Sequence, residues 1–488
     1  MQRTDHMDIS KIDLYKQAHL NKSYLSISAI NVLLALEEEG YEAWIVGGWV
    51  RDALIGASSH DIDMCCSATW QQSKNILKKA GIKVEETGTK FGGITAIINQ
   101  ERIEVTQYRI DGFYTDGRHP KDITCASCIE DDISRRDFTV NAMAWHPLRG
   151  LLDLHEGKKD IDNKLIRCVG NPTRRFQEDG LRMLRAIRFA ARLNFQLETK
   201  TKQSLTECAP LLSKIANERI GSELNEMFKT CHSATLIQEN PDLISTAIPE
   251  MAETIGFNQH TPYHCFDVYE HSAHVVGHIE ALLTDNKTTR NDQDTSLIWA
   301  ALLHDVGKPQ CYSIDTNHRG HFYGHPHISA QIAAQVFVRL GINKTIAKRA
   351  LVLIEHHDEK LNPCRKEILR YMNHLVSDKN YQNNQRNQND SEIFDQIIDL
   401  RIADTLSKSR ECHAYTSTLE KIRCAMHKYV TSNEAYSIAT LDLSGKDLIE
   451  RGVEPGPIIK SYLNQALQLC IEGKVRNNRN DLLTYLKL

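Results

Sequence analysis

The sequence predicts an α+β protein, a mixed head of strands and helices followed by regions that are helical almost throughout. Three observations carry this. Short apolar runs bounded by turn residues, such as Ala43–Val46, alternate with helical periodicity over the first third of the chain. Beyond Gly157 the strand signals fade and long amphipathic stripes take over. The length of 488 residues, at roughly 100–200 per domain, implies about three or four compact units.

Taken in order, Ile27, Ile30, Leu33, Leu34 and Leu36 recur at helical spacing and predict a helix over Ser26–Glu39. Ala43–Val46 reads as a buried strand, Gly47-Gly48 as a tight turn and Val50–Ile55 as the start of a helix. Further strands are expected at Asp61–Cys65, Gly93–Ile98 and Arg102–Tyr108, with a helix over Thr69–Ala80. One long helix is expected over Phe176–Leu193, where Leu181, Leu184, Ile187, Ala190 and Ala191 form an apolar stripe. The polar stretches Thr284–Asp294 and Ser377–Asp390 cannot bury much surface and read as loops. Soft boundaries near 150, 255 and 410 divide the chain into a head (25–150), a helical neck (151–255), a second helical region (256–410) and a helical tail (411–488).

A 41% hydrophobic and 25% charged composition excludes disordered and collagen-like classes. The formal charge of −4 argues against coating nucleic acid with the whole surface, while leaving local basic patches open. No apolar run approaches the ~18–20 residues of a membrane span, and Met1–Leu20 has no signal-peptide core, so no membrane partner and a cytoplasmic location are expected. Thirteen scattered cysteines, an odd number, fit reduced thiols; Cys125-Ala-Ser-Cys128 has no partner pair nearby for a structural metal.

The first chemical constellation is Asp61-Ile62-Asp63. Residues two apart on a strand share a face, so this pair can hold divalent cations for phosphoryl or nucleotidyl transfer. Gly47-Gly48, between strand and helix, lets backbone N–H groups approach phosphate, and Arg51 follows one turn later. Glu104, on an alternating strand, is either a third carboxylate or an outward-facing acid. A second constellation places Asp179, Arg182 and Arg185 at i, i+3 and i+6 as one polar ridge. A carboxylate can accept from the exocyclic amine of cytosine or adenine while a guanidinium donates to the adjacent ring acceptor, an edge polarity that guanine and uracil reverse. The same spacing also describes an ordinary helix with i, i+3 ion pairs. In the third, His271, His304-Asp305 and Asp404 fall on separate predicted helices, as imidazole and carboxylate ligands of a metal would.

Val46-Gly-Gly-Trp-Val-Arg-Asp52, His60-Asp-Ile-Asp63 and Arg135-Arg-Asp-Phe-Thr-Val-Asn-Ala-Met-Ala144 together resemble the bacterial CCA-adding tRNA nucleotidyltransferases and the related poly(A) polymerases, class II members of the polymerase β-like superfamily, over about residues 25–235. The resemblance implies that Asp61 and Asp63 hold Mg2+, with Glu104 as third acid, and that Gly48 and Arg51 contact the triphosphate. It further implies that Arg135, Arg136, Asp137 and Asn141 border ribose and phosphates. Standing alone, the Arg-Arg-Asp cluster would equally describe a surface ion-pair knot. Phe176–Arg188 resembles the family's nucleotide-selecting segment, which gives Asp179 and Arg182 the base-reading role, with Arg185 and Arg188 in support. The implied partners are tRNA, CTP and ATP.

Residues 260–410 resemble HD-domain phosphohydrolases through Tyr269-Glu-His-Ser272, Leu303-His-Asp-Val-Gly-Lys308, Tyr323-Gly-His325, Glu355-His-His-Asp358 and Arg401-Ile-Ala-Asp404. The implied ligands of a divalent metal are His271, His304, Asp305 and Asp404. His325 and His357, or its neighbour His356, extend the site to a second metal, whereas His274 and His278 read as packing or surface residues. The expected activity is template-independent addition of C, C and A to tRNA 3′ ends, with a phosphohydrolase in the helical half. A poly(A) polymerase, and an HD phosphohydrolase with an RNA-binding head, are the alternatives.

Overall fold

The computed structural model describes residues 9–59, 61–87, 89, 92–111, 123–283, 290–381 and 388–487. His60 and residues 284–289 and 382–387 of the two polar stretches lie outside these. The chain forms two compact units, one ending at Ala216 and the other starting at Asn217.

The first unit is built on a seven-stranded sheet. Its elements are α1 (Ile27–Glu38), β1 (Ala43–Val46), α2 (Gly48–Ile55), β2 (Ile62–Cys66), α3 (Trp70–Lys79), β3 (Lys83–Glu85), β4 (Gly93–Ile98), β5 (Glu101–Gln107), α4 (Ile129–Ser134), β6 (Ala144–His146) and β7 (Gly150–Leu152). The strand order is β7-β6-β1-β2-β5-β4-β3, and only the β2–β5 pair is parallel among these neighbours. Helices start where the sequence supplies acceptors: Ser26 accepts from the Ala29 N–H, and Thr69 with Gln72 forms a capping box, each cap being worth about 1 kcal/mol. Trp44, Val46, Cys65, Tyr108, Ile133 and Ala144 bury a common core against the sheet.

The expected helix over Phe176–Leu193 is two helices, α5 (Pro172–Glu178) and α6 (Leu181–Leu193). Asp179 between them is extended (φ −144°), and Gly180 packs so closely that a Cβ there would lie 3.2 Å from the Leu211 carbonyl oxygen. Long-range packing, invisible in the apolar stripe, sets this break. Asp179 is therefore not on the ridge with Arg182 and Arg185 but ahead of it, its carboxylate accepting from the Leu181 N–H at 3.0 Å.

The second unit is helical. Its main elements are α7 (Val268–Leu282), α8 (Asp292–Leu303), α9 (His325–Arg339), α10 (Lys344–His356), α11 (Arg365–Ser377), α12 (Gln388–Leu406), α13 (Thr416–Thr431) and α14 (Pro457–Ile471). From Thr295 to Leu303, α8 is buried on every side, as a helix apolar all round must be. It begins at Asp292, inside the stretch expected to be a loop, because Asn291 and Asp294 form a capping box. This central helix delivers His304 and Asp305 into the interior. Among the described residues no helix is long and apolar enough to cross a membrane, and the described cysteines are free thiols.

Candidate active site and metal centre

In the head, strand register does the positioning. Val46 pairs with Asp63, and Asp63 with Glu104, so the two carboxylates stand side by side on one face. Burial, then the Glu104 charge, raise the Asp63 carboxyl to about 6 against the pull of Arg136, and Asp61 adds to the same negative field. Asp61 is exposed, one residue before β2. Acids crowded in this way fit a divalent cation, which would relieve both desolvation and repulsion.

Asp63 and Glu104 open into a cleft of about 310 Å³ that Arg135, Arg136 and Asp137 line on one side and Asp179, Arg182 and Arg185 on another. Widely separated residues of the first two constellations thus meet in one place. Arg135 and Arg136 share the fully buried Asp132 (2.6 and 3.1 Å), and Arg185 clamps Asp137 (2.7 Å). Burial opposes ionisation of Asp137, but Arg185 overrides it and holds the carboxyl at about 2. Arg182 donates to Glu178 at 2.6 Å and to the Arg135 carbonyl at 3.3 Å. The arginines are ion-paired, as a surface knot would be, yet they line a cleft.

Arg51 and Asn141 do not line it. Arg51 is buried, its Nη1 donating to Asn141 Oδ1 at 2.6 Å and its Nε to Asp52 at 2.8 Å, while Asn141 donates to Asp137 at 3.2 Å. The two link α2 to the cleft wall from behind. Arg188 lies over the Phe189 ring at 4.4 Å. Gly48 opens α2, but its neighbour Gly47 is the conformationally demanding one: at φ +70°, a Cβ there would lie 3.0 Å from Arg136 Nη1 and 3.8 Å from Asp63 Oδ2. Sequence reasoning missed Asp132, Thr106 and Arg109; the run of acids before Arg135 was the available signal for Asp132.

In the second unit His271, His304, Asp305, His325, His357 and Asp404 converge. Each of the four imidazoles places Nδ1 near a backbone carbonyl: His271 near Ser407 (3.4 Å), His304 near Ala301 (2.9 Å), His325 near Phe322 (2.9 Å) and His357 near Ile354 (2.7 Å). A carbonyl can only accept, so Nδ1 carries the proton and every Nε2 lone pair faces inward. His325 and His357 set their Nε2 atoms 3.2 Å apart, a repulsive contact unless a cation lies between their lone pairs.

Asp305 belongs to two groups at once, one with His271 and His304 and one with His325 and His357. Its Oδ2 lies 3.2 Å from His304 and 3.5 Å from His271, and its Oδ1 3.1 Å from His325 and 3.6 Å from His357. Both oxygens are buried, and beyond the Lys308 ammonium 2.6 Å from Oδ2 neither has a well-directed hydrogen bond; His304 Nε2 is likewise without one. Such a donor set fits divalent cations bridged by a carboxylate.

Burial opposes the charge on Asp305, but His304 and Lys308 (2.6 Å) hold its carboxyl far below the usual range; Lys408 (2.6 Å) does the same for Asp404. Burial, with Lys308 and Lys408 nearby, lowers His264 to about 2. These lysines and His264 line the clefts beside the centre and were not singled out from sequence, although Lys308 ends the His304-Asp-Val-Gly-Lys308 run. Of the adjacent histidines, His357 faces the centre and His356 points away to Glu359 and Asp378. Burial would lower His356, but those two carboxylates raise it to about 9. His274 stacks on Phe266 at 4.1 Å, outside the cluster, and His278 is half-buried.

Two stretches of the chain, one in each unit, are similar to known domain classes, a polymerase head and an HD domain. Residues 43–167 match the poly A polymerase head domain, residues 194–239 the probable RNA and SrmB-binding site of polymerase A, and residues 268–408 the HD domain. Both the head and HD classes are metal-dependent.

More particularly, the relatives are CCA-adding enzymes. That of Lactobacillus helveticus (strain DPC 4571) is 39% identical over 227 residues, 46% of this chain and 56% of that protein. That of Streptococcus gordonii is 40% identical over 199 residues, 41% of this chain and 49% of that protein. The chain thus spans about half the length of the curated relatives it matches. Among solved structures, the Bacillus stearothermophilus CCA-adding enzyme in complex with CTP aligns at a TM-score of 0.59 and 23% identity, covering 94% of this chain and 96% of that one. The Thermotoga maritima CCA-adding enzyme complexed with tRNA aligns at a TM-score of 0.58 and 19% identity, covering 99% and 98%. At these identities the structural likeness establishes the fold.

Proposed function

We propose that this protein adds C, C and A to the 3′ end of tRNA from CTP and ATP, releasing pyrophosphate. The convergence of Asp63 and Glu104 with Asp179, Arg182 and Arg185 in one cleft carries the reading, because catalysis and base selection need a common chamber. Relatives captured with CTP, with ATP and with tRNA support it.

In this mechanism Asp61 and Asp63, with Glu104 beside them, would hold Mg2+. When bound there it supplies Lewis-acid activation of the terminal hydroxyl and neutralises charge on the leaving pyrophosphate. Arg135 and Arg136, kept in place by Asp132, face the triphosphate, and the glycine turn brings backbone N–H groups to it. Asp179 accepts from the exocyclic amine of C or A and Arg182 donates to the ring, a pairing worth about 1–3 kcal/mol of discrimination. Asp137 and Arg185 fix the wall that carries them. Incubation with tRNA lacking CCA and each labelled NTP tests this. CTP and ATP incorporation ending at CCA is expected; A-only tails without CTP use would favour a poly(A) polymerase.

The HD centre supports a second, metal-dependent activity on a phosphoester. Asp305, whose two buried oxygens each lie near two of the four inward Nε2 atoms, carries this reading. His304→Ala with Asp305→Ala should abolish phosphoester hydrolysis while leaving nucleotide addition in place. If the head variants Asp61→Ala with Asp63→Ala left nucleotide addition intact, the first reading would fail.

A further inference from the structure

A third group of metal-type side chains stands apart from the HD centre, on the other side of the α10 terminus. His356 closes α10, Glu359 follows in the link, His374 lies in the last turn of α11 and Asp378 caps that helix. His356 is buried (1% side-chain exposure), its Nδ1 against Glu359 Oε1 and its Nε2 3.2 Å from Asp378 Oδ2. His374 presents its own Nδ1 to the same Glu359 Oε1 at 3.0 Å, and the two rings stand edge to face with centroids 4.6 Å apart.

Two imidazole nitrogens therefore converge on a single carboxylate oxygen, and one ligand atom from each of His356, Glu359 and His374 lies within 4.8 Å of the others. Ligands of a tetrahedral ion with bonds of about 2.0–2.1 Å sit about 3.3 Å apart, so the His374–Glu359 pair at 3.0 Å and the closer His356–Glu359 pair would open slightly to admit it. Asp378 supplies what imidazole ligands require, an acceptor on the opposite nitrogen that fixes the tautomer. We propose that His356, Glu359 and His374 bind a zinc-class divalent cation, with Asp378 orienting His356 and water completing the shell on the exposed side of His374.

The donor types suit a borderline cation: imidazole and carboxylate without thiolate favour Zn2+ over Mg2+ or Cu(I). On binding, the His356 Nδ1 proton leaves to solvent and the nitrogen lone pair takes the metal, while the Nε2 proton stays with Asp378. A cation there clips the end of α10 to α11, where the Tyr371 hydroxyl already donates to the His356 carbonyl at 2.8 Å. The next residue is His357, so the clip would steady the backbone that presents an HD-centre histidine.

Cobalt substitution of the full chain reads the site directly. Co2+ equivalents and visible spectra are compared for wild type and His374→Ala, and again for Asp305→Ala and Asp305→Ala/His374→Ala, so that loss at the HD centre is separated from loss here. Each pair should differ by one equivalent and by tetrahedral d–d absorption. The His374 side chain is 63% exposed, so its replacement should leave the far-ultraviolet circular dichroism unchanged. His374→Cys provides the second variant: it should retain the equivalent and gain a sulfur-to-cobalt charge-transfer band. Identical stoichiometry and spectra in both pairs, or no charge-transfer band with His374→Cys, would overturn the proposal.

Discussion

Adjacent glycines at the head of α2 should respond oppositely to alanine. Gly47 has φ +70° and ψ −127°, a region costing a side-chain-bearing residue about 1–3 kcal/mol. Its new methyl would also press on Arg136 Nη1 at 3.0 Å, and Arg136 is tethered to Asp132, so its retreat would disturb the cleft wall. Gly48 is helical, and a Cβ there would meet its nearest neighbour, Arg51 Nη2, at 3.7 Å, an ordinary contact. Alanine at 48 should therefore be neutral or stabilising by about 0.4–1 kcal/mol. For a unit of this size 1 kcal/mol shifts Tm by about 2–4 °C, so Gly47→Ala should lower the first unit's transition by about 2–12 °C and Gly48→Ala should not. Differential scanning calorimetry of the full chain measures both. Equal melting of the two variants would refute the assignment of strain to Gly47.

Other consequences follow from the charged sites. Asp63 titrates at about 6 in the folded state, above its unfolded value, so its contribution to stability is complete below about pH 4 and is lost as pH rises through 6. Cation affinity should run the other way, weakening tenfold per unit below pH 6; a Mn2+ affinity unchanged from pH 5 to 8 would contradict this. Asp137 is depressed to about 2, so its stabilisation, about 2 kcal/mol, is full above pH 4 and fades as pH falls through 2. Asp137→Asn should forfeit it at neutral pH, visible as a lower urea midpoint. At the HD centre Asp305→Ala should remove two metal equivalents and His325→Ala one, by elemental analysis after dialysis.

Much of the head was legible because its signals are local. The strands expected at Asp61–Cys65 and Arg102–Tyr108 carry Asp63 and Glu104, and the helices expected over Ser26–Glu39 and Thr69–Ala80 match α1 and α3 within a residue at each end. What stayed hidden depends on distant packing. The break at Asp179–Gly180 answers to Leu211, and the inward turn of Arg51 answers to Asn141, 90 positions away. His356 and His357 lie at a helix end, where one residue of rotation decides the facing side, and only the neighbours Glu359, Asp378 and Asp305 decide it.

The parallel pairing of β2 with β5 bears on the order of folding. No hairpin can join parallel strands, so the chain between them must run through α3, β3 and β4 before Asp63 meets Glu104. The antiparallel β4–β5 ribbon can zip from its own tight connection, whereas the two acids come together only at a long-range closure. Their repulsion therefore falls on a long-range closure, and a divalent ion that relieves it in the finished site would also favour that docking of strands.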